Sequence, residues 1–177
     1  MSTWIALFRG INVGGKNSLP MKSLTATLEA EGLSQIRTYI QSGNVVFESR
    51  AGTASSLAAR IARAVAQAHG FAPKVFVLVA SDLKRAAAAN PFPAGEAEPN
   101  RLHLFFLAEK PKSADLTALN RLRAGREMFE IRGKVFYMYA PDGMGTSKLG
   151  AAAERHLGVD ATARNWRTVA ALLAMAH

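Results

Sequence analysis

Ile36-Arg37-Thr38-Tyr39-Ile40-Gln41-Ser42-Gly43-Asn44-Val45-Val46-Phe47-Glu48 is the stretch that decides the fold. Two runs rich in β-branched and aromatic residues flank Ser42-Gly43-Asn44, a pattern that predicts a β-hairpin. Gly43 or Asn44 is expected to take positive φ in its turn. A hairpin pairs its strands antiparallel, whereas an all-parallel doubly wound sheet needs a crossover helix between neighbouring strands. The segment therefore points to an α+β protein with mainly antiparallel sheets.

Upstream, Trp4-Ile5-Ala6-Leu7-Phe8 reads as a buried strand running into the glycine-rich Arg9-Gly10-Ile11-Asn12-Val13-Gly14-Gly15-Lys16-Asn17. Pro20 then suits the first turn of a helix, with Ser18 or Leu19 at the cap position. Met21, Leu24 and Leu28 share its apolar face, and Gly32-Leu33 is its stop signal. Downstream of the hairpin, a second helix is predicted from about Ala54, with Leu57, Ile61, Ala64, Val65 and Ala68 as its stripe. Gly70-Phe71 ends it, and Lys74 to Val79 forms a continuous apolar strand. The order is β-α-β-β-α-β.

A short alanine-rich helix capped by Ser81 follows, ended by Asn90-Pro91. Pro91, Pro93 and Pro99, interspersed with Glu96 and Glu98, mark a boundary that divides the chain into halves 1–90 and 91–177. The same order then restarts. Leu102 to Leu107 is a strand, and Ser113 opens a helix carrying Leu116 and Leu119. Met128–Ile131 and Val135–Tyr139 form a hairpin around Arg132-Gly133-Lys134. Ser147 opens a helix that stops at Gly158-Val159, and an extended piece at Thr162 leads to a C-terminal helix. Trp166, Val169, Ala170 and Leu173 are its expected core face. The predicted architecture is two β-α-β-β-α-β halves with helices on one face of each sheet, forming one compact unit.

Composition narrows the function. Residues 1–90 carry ten Lys/Arg against four Asp/Glu, and residues 91–177 carry twelve against nine, so the net charge of +9 is spread over both halves. Such a balance favours phosphorylated metabolites, nucleic acid or anionic lipid. No cysteine is present, which excludes disulfides and thiolate metal sites. No apolar run approaches the roughly 20 residues of a membrane span, and the N-terminus lacks signal-peptide character. A cytoplasmic protein is expected.

Four stretches also resemble those of a bacterial family of proteins of unknown function, domain-of-unknown-function family 1697. They are Ala6 to Asn17, Arg37 to Phe47, Pro141-Asp142-Gly143-Met144-Gly145-Thr146-Ser147-Lys148-Leu149, and Thr162-Ala163-Arg164-Asn165-Trp166-Arg167-Thr168-Val169. The resemblance implies a duplicated ferredoxin-like α+β fold in a small cytosolic protein, and it implies no activity. Thr162-Ala163 stands where the family usually has a Thr pair, and Arg167 where it usually has Asn.

The functional reading centres on the first loop. Gly10-x-x-x-x-Gly15-Lys16 matches a phosphate-cradling loop, but Asn17 stands where Ser or Thr would hold magnesium, and Pro20 delays the helix. These departures argue against nucleotide hydrolysis and leave an anion site, with Gly14 and Gly15 supplying backbone donors and Lys16, Arg9 and Arg164 neutralising charge. Asn12 completes the candidate set, either as a ligand contact or by bonding neighbouring backbone in a long turn. Arg164 is singled out because a cation beside a helix N-terminus opposes the helix dipole.

Nucleic-acid binding is the alternative. Its one specific handle is the β-α-β-β-α-β order, the topology of an RNA-recognition module. Arg132-Gly133-Lys134-Val135-Phe136-Tyr137-Met138-Tyr139 partly imitates the aromatic third strand of that module, with Lys134 in place of the first stacking aromatic. An enzyme of unknown reaction is the other alternative. His69, His103, His156 and His177 show no metal-ligand spacing, and no nucleophile elbow occurs. No catalytic residue, metal site or cofactor is assigned.

Overall fold

The computed structural model describes residues 1–177. Its elements run β1 (Ser2–Arg9), α1 (Met21–Ala30), β2 (Ser34–Tyr39), β3 (Asn44–Ser49), α2 (Ala54–His69), β4 (Lys74–Val79) and α3 (Ala80–Ala88). A 3-10 turn at Pro93–Ala97 precedes β5 (Leu102–Leu107), α4 (Leu116–Leu122), β6 (Met128–Arg132), β7 (Val135–Tyr139), α5 (Lys148–Leu157), β8 (Ala161–Asn165) and α6 (Trp166–Met175). The chain divides into two compact units, Met1–Arg85 with Ala170–His177, and Ala86–Val169. No helix is long and apolar enough to cross a membrane.

Each unit carries a four-stranded antiparallel sheet, ordered β2-β3-β1-β4 in the first and β6-β7-β5-β8 in the second. Both orders are that of the split β-α-β arrangement of ferredoxin-like folds, as the alternation of hairpins and helices predicts. In the first unit Ile5 lies opposite Val46 on β3 and Leu78 on β4. In the second, Phe105 lies opposite Phe136 on β7 and Ala163 on β8.

Strand alternation sends Ala6 and Phe8 of β1 and Val45 and Phe47 of β3 to one side, where they pack with Leu24 and Leu28 of α1 and Leu57, Ile61 and Val65 of α2. The alternate positions Ile5, Leu7 and Val46 are buried as well. The second core repeats the plan with Phe105, Leu107, Phe136 and Met138 against Leu119, Leu149, Ala153 and Leu157. There Phe136 meets Phe105 edge-on at 5.2 Å and stacks on Phe129 at 5.5 Å.

Several helix starts differ from expectation. Pro20 is itself the N-cap of α1 and has no polar side-chain atom to cap it, while Leu19 N, just before it, donates to Asn12 Oδ1 at 2.7 Å. Ser81 lies inside α3 rather than capping it. Asp115, not Ser113, caps α4 by accepting from Ala118 N at 2.9 Å. Leu116 then points to solvent at 51% exposure, and Leu119 alone anchors that helix among the two expected leucines. The stripe of α2 ends at Val65, with Ala68 exposed. In α6 the buried apolar positions are Val169 and Leu172, while Ala170 is exposed. Thr53 and Ser56 form a capping box at α2, and Ser147 caps α5 as expected.

Candidate functional site

The connection from β1 to α1 is a compact knot. Val13 and Lys16 form a one-pair bridge closed by Lys16 N donating to Val13 O at 3.1 Å. Gly14 (φ 58°) and Gly15 (φ 71°) fill the two central positions, the left-handed pair a type I′ turn requires. Outside this turn, Asn12 N donates to Asn17 O (3.1 Å) and Asn17 Nδ2 to Gly10 O (3.1 Å). Asn12 and Asn17 are themselves left-handed, at φ 53° and 51°, a conformation Asn tolerates better than most residues.

The Asn12 side chain is fully committed to backbone. Its Oδ1 accepts from Leu19 N at 2.7 Å, and its Nδ2 donates to Leu19 O at 2.9 Å and to Gln41 O at 2.7 Å. The last bond reaches 29 positions along the chain, to the turn between β2 and β3. Asn12 is therefore the clasp of the loop, its amide hydrogens both engaged. Gly10, Gly14, Gly15 and Lys16 are exposed, with Ile11 and Leu19 buried beneath them.

The β2–β3 turn is the other half of this rim. Gly43 takes φ 79°, and its carbonyl accepts from Phe8 N at 2.8 Å. A Cβ there would stand 2.6 Å from Phe8 Cβ and 2.7 Å from Ile11 Cδ1, so only glycine fits. Ile40 takes φ 49°, a strained conformation for a β-branched residue, and is 52% exposed. The expectation of an extended Ile40 thus fails: β2 ends at Tyr39. Asn44 is buried and ties the turn by donating from Nδ2 to Tyr39 O (3.2 Å) and Ser42 Oγ (3.1 Å).

The second unit supplies an internal comparison. Its β5–α4 connection, residues 108–115, contains no left-handed residue, and its β6–β7 turn is only Gly133-Lys134. The same fold therefore closes these two connections without the knot or the strained turn. Both are elaborations of the first unit that the topology does not require.

Of the expected site residues, Asn12, Gly14, Gly15 and Lys16 lie on this one connection, and Arg9 is the last residue of the strand that leads into it. Arg164 lies in the second unit, on β8, 9% exposed. Its Nη1 donates to Thr162 Oγ1 at 2.7 Å and to Ala163 O at 2.8 Å. Burial lowers its pKa to about 10, which leaves the guanidinium charged at neutral pH. The adjacent Asn165 caps α6 by accepting from Thr168 N at 3.0 Å, as its position predicts.

The RNA-stacking handle does not survive. Phe136 and Tyr137 are buried, Phe136 in the core and Tyr137 with its hydroxyl donating to Ala86 O at 2.6 Å. No aromatic of β7 before Tyr139 is presented to solvent, and Tyr139 is bonded to Glu98. That bond holds the Tyr139 pKa above the usual phenol value, and burial raises that of Tyr137. His103 on β5 is pushed below its ordinary value by burial, with the Arg101 backbone acting in the opposite sense. No group of three or more His, Asp or Glu side chains is placed to hold a metal ion.

The family model described as "Protein of unknown function (DUF1697)" matches residues 1–137, and the chain belongs to that family. The conserved bacterial protein SP0830 from Streptococcus pneumoniae has a solved structure that superposes with a TM-score of 0.74, at 22% identity, covering 99% of each chain. At that identity the likeness speaks for the fold alone. No curated protein matches the chain.

Proposed function

We propose that this member of the family binds an anionic, phosphate-containing ligand at the Gly10–Lys16 loop. One observation carries the reading: the N–H groups of Gly14 and Gly15 have no acceptor within the chain, and sit at the exposed tip of a turn immediately before Lys16. Turn amides of this kind form an anion-binding concavity when no protein acceptor claims them. Lys16 adds a point charge beside them, and Arg9 at the end of β1 adds a second cation on the same connection. Asn12 serves the site by holding the loop, so the donors need little reordering on binding. The absence of any such knot from the equivalent connection of the second unit favours a purpose beyond chain reversal.

The test is a thermal-shift panel of nucleotides, phosphosugars and sulfate. The reading expects at least one phosphate compound to raise the melting temperature, and Lys16→Ala to abolish the rise. A flat panel, or an undiminished response in Lys16→Ala, would refute it.

A further inference from the structure

We infer that the Ile40 turn is the second wall of this site, and that its ligand carries an apolar body next to the phosphate. This rests on the anion-binding reading and adds the class of ligand. The large apolar side chains exposed by the protein are Met1, Val13, Ile40, Leu116 and Met128. Met1 is the chain's first residue, and Leu116 and Met128 belong to α4 and β6 of the second unit. Val13, 65% exposed, and Ile40, 52% exposed, are instead the chain neighbours of the two residues that one hydrogen bond joins, Val13 following Asn12 and Ile40 preceding Gln41.

Scattered exposed apolar residues are ordinary on a soluble surface, and one alone would mean nothing. Here two occur on mutually bonded loops, and one of them is kept in a backbone conformation that a β-branched residue resists. Asn or Gly would relax that position. Strain retained where a common substitution removes it fits a side chain required at that spot. Val and Ile also have few χ1 choices, so both present a preformed apolar surface that loses little entropy on contact.

The two joined loops therefore offer different chemistry: turn amides and Lys16 for a phosphate, and Val13 and Ile40 for a flat or branched hydrocarbon portion. Inorganic phosphate would use the first wall only. A phosphate monoester with an aromatic or aliphatic body would use both.

Two probes of equal charge separate these cases: phenyl phosphate, with an apolar body, and ribose 5-phosphate, with a polar one. Amide resonances of Gly14, Gly15 and Ile40 are followed while each is titrated into the full chain. Phenyl phosphate is expected to move all three and to bind about tenfold more tightly than ribose 5-phosphate, the gain from covering part of two aliphatic side chains. Ile40→Asn, which suits the left-handed backbone, is expected to erase that preference, bringing phenyl phosphate down to the affinity of ribose 5-phosphate. Equal affinities, or shifts confined to Gly14 and Gly15, would overturn the two-wall inference and leave the anion site standing. Failure of both probes to move Gly14 or Gly15 would overturn the anion site, and this inference with it.

Discussion

Asn12 Nδ2 donates to Gln41 O at 2.7 Å, joining two loops that the sequence separates by 29 positions. The same side chain holds Leu19 through both its N–H and its carbonyl, at 2.7 and 2.9 Å. One exposed amide thus sets the geometry of the glycine turn, the entry into α1 and the position of the β2–β3 turn. The candidate site is a consequence of that convergence.

Replacing Asn12 by Ala removes three hydrogen bonds, and leaves the Leu19 N–H and carbonyl to find water. The expected loss of stability is about 1–3 kcal/mol by denaturant unfolding. Hydrogen exchange should accelerate at both loops together, because one clasp secures both. Acceleration at the glycine loop alone would show that Asn12 does not couple them.

Ile40→Asn should stabilise the protein. A β-branched residue at φ 49° carries strain of about 1–2 kcal/mol that Asn largely avoids. Relief of about 1 kcal/mol would raise the melting temperature by roughly 2–4 °C in a chain of this size. A lower melting temperature would mean that the Ile40 side chain contributes more to the fold than its exposure indicates.

Gly43→Ala should do the reverse. The added Cβ falls within 2.6 Å of Phe8 Cβ, at a φ of 79° that Ala disfavours. Backbone strain and overpacking act together here, and a loss of about 2–4 kcal/mol is expected from unfolding curves. A loss below about 1 kcal/mol would show that β1 and the turn separate easily.

The duplicated β-α-β-β-α-β order is legible because its signals are local: Gly43 and Gly133 mark hairpins, and Gly32, Gly70 and Gly158 end helices before an apolar residue. Helix starts are less legible, since Ser81, Ser113 and Asp115 all have cap chemistry and neighbouring packing chooses among them. In α6, Val169 of the expected face Trp166, Val169, Ala170 and Leu173 is buried, but Leu172 is buried beside it while Ala170 is exposed, an ambiguity a short apolar helix carries. The loop residues Arg9, Asn12, Gly14, Gly15 and Lys16 stand out in the sequence by composition. The role of Asn12 does not, because its partner at Gln41 is distant in the chain. Ile40 is hidden for a different reason: its β-branched side chain signals strand, and its backbone is left-handed.

His103 provides a pH signature. Burial lowers its pKa from the ordinary 6.5, so the folded protein holds the ring neutral where the unfolded chain would protonate it. Below pH 6.5 the unfolded state binds more protons, and stability falls as pH drops from there through the lowered folded value. Above pH 6.5 this contribution is complete and constant. Compared across this range, the natural chain should lose unfolding free energy relative to His103→Leu as pH falls. Parallel profiles would show that His103 titrates alike in both states.

Backbone amide resonances of Gly14 and Gly15 report on whether their turn and Lys16 form an anion site. With ionic strength held constant by chloride, inorganic phosphate should move the Gly14 and Gly15 amides along a saturable curve, and Lys16→Ala should weaken that curve strongly. If both amides stay still up to about 10 mM phosphate, where even millimolar affinity would show, the loop is a chain reversal and not an anion site.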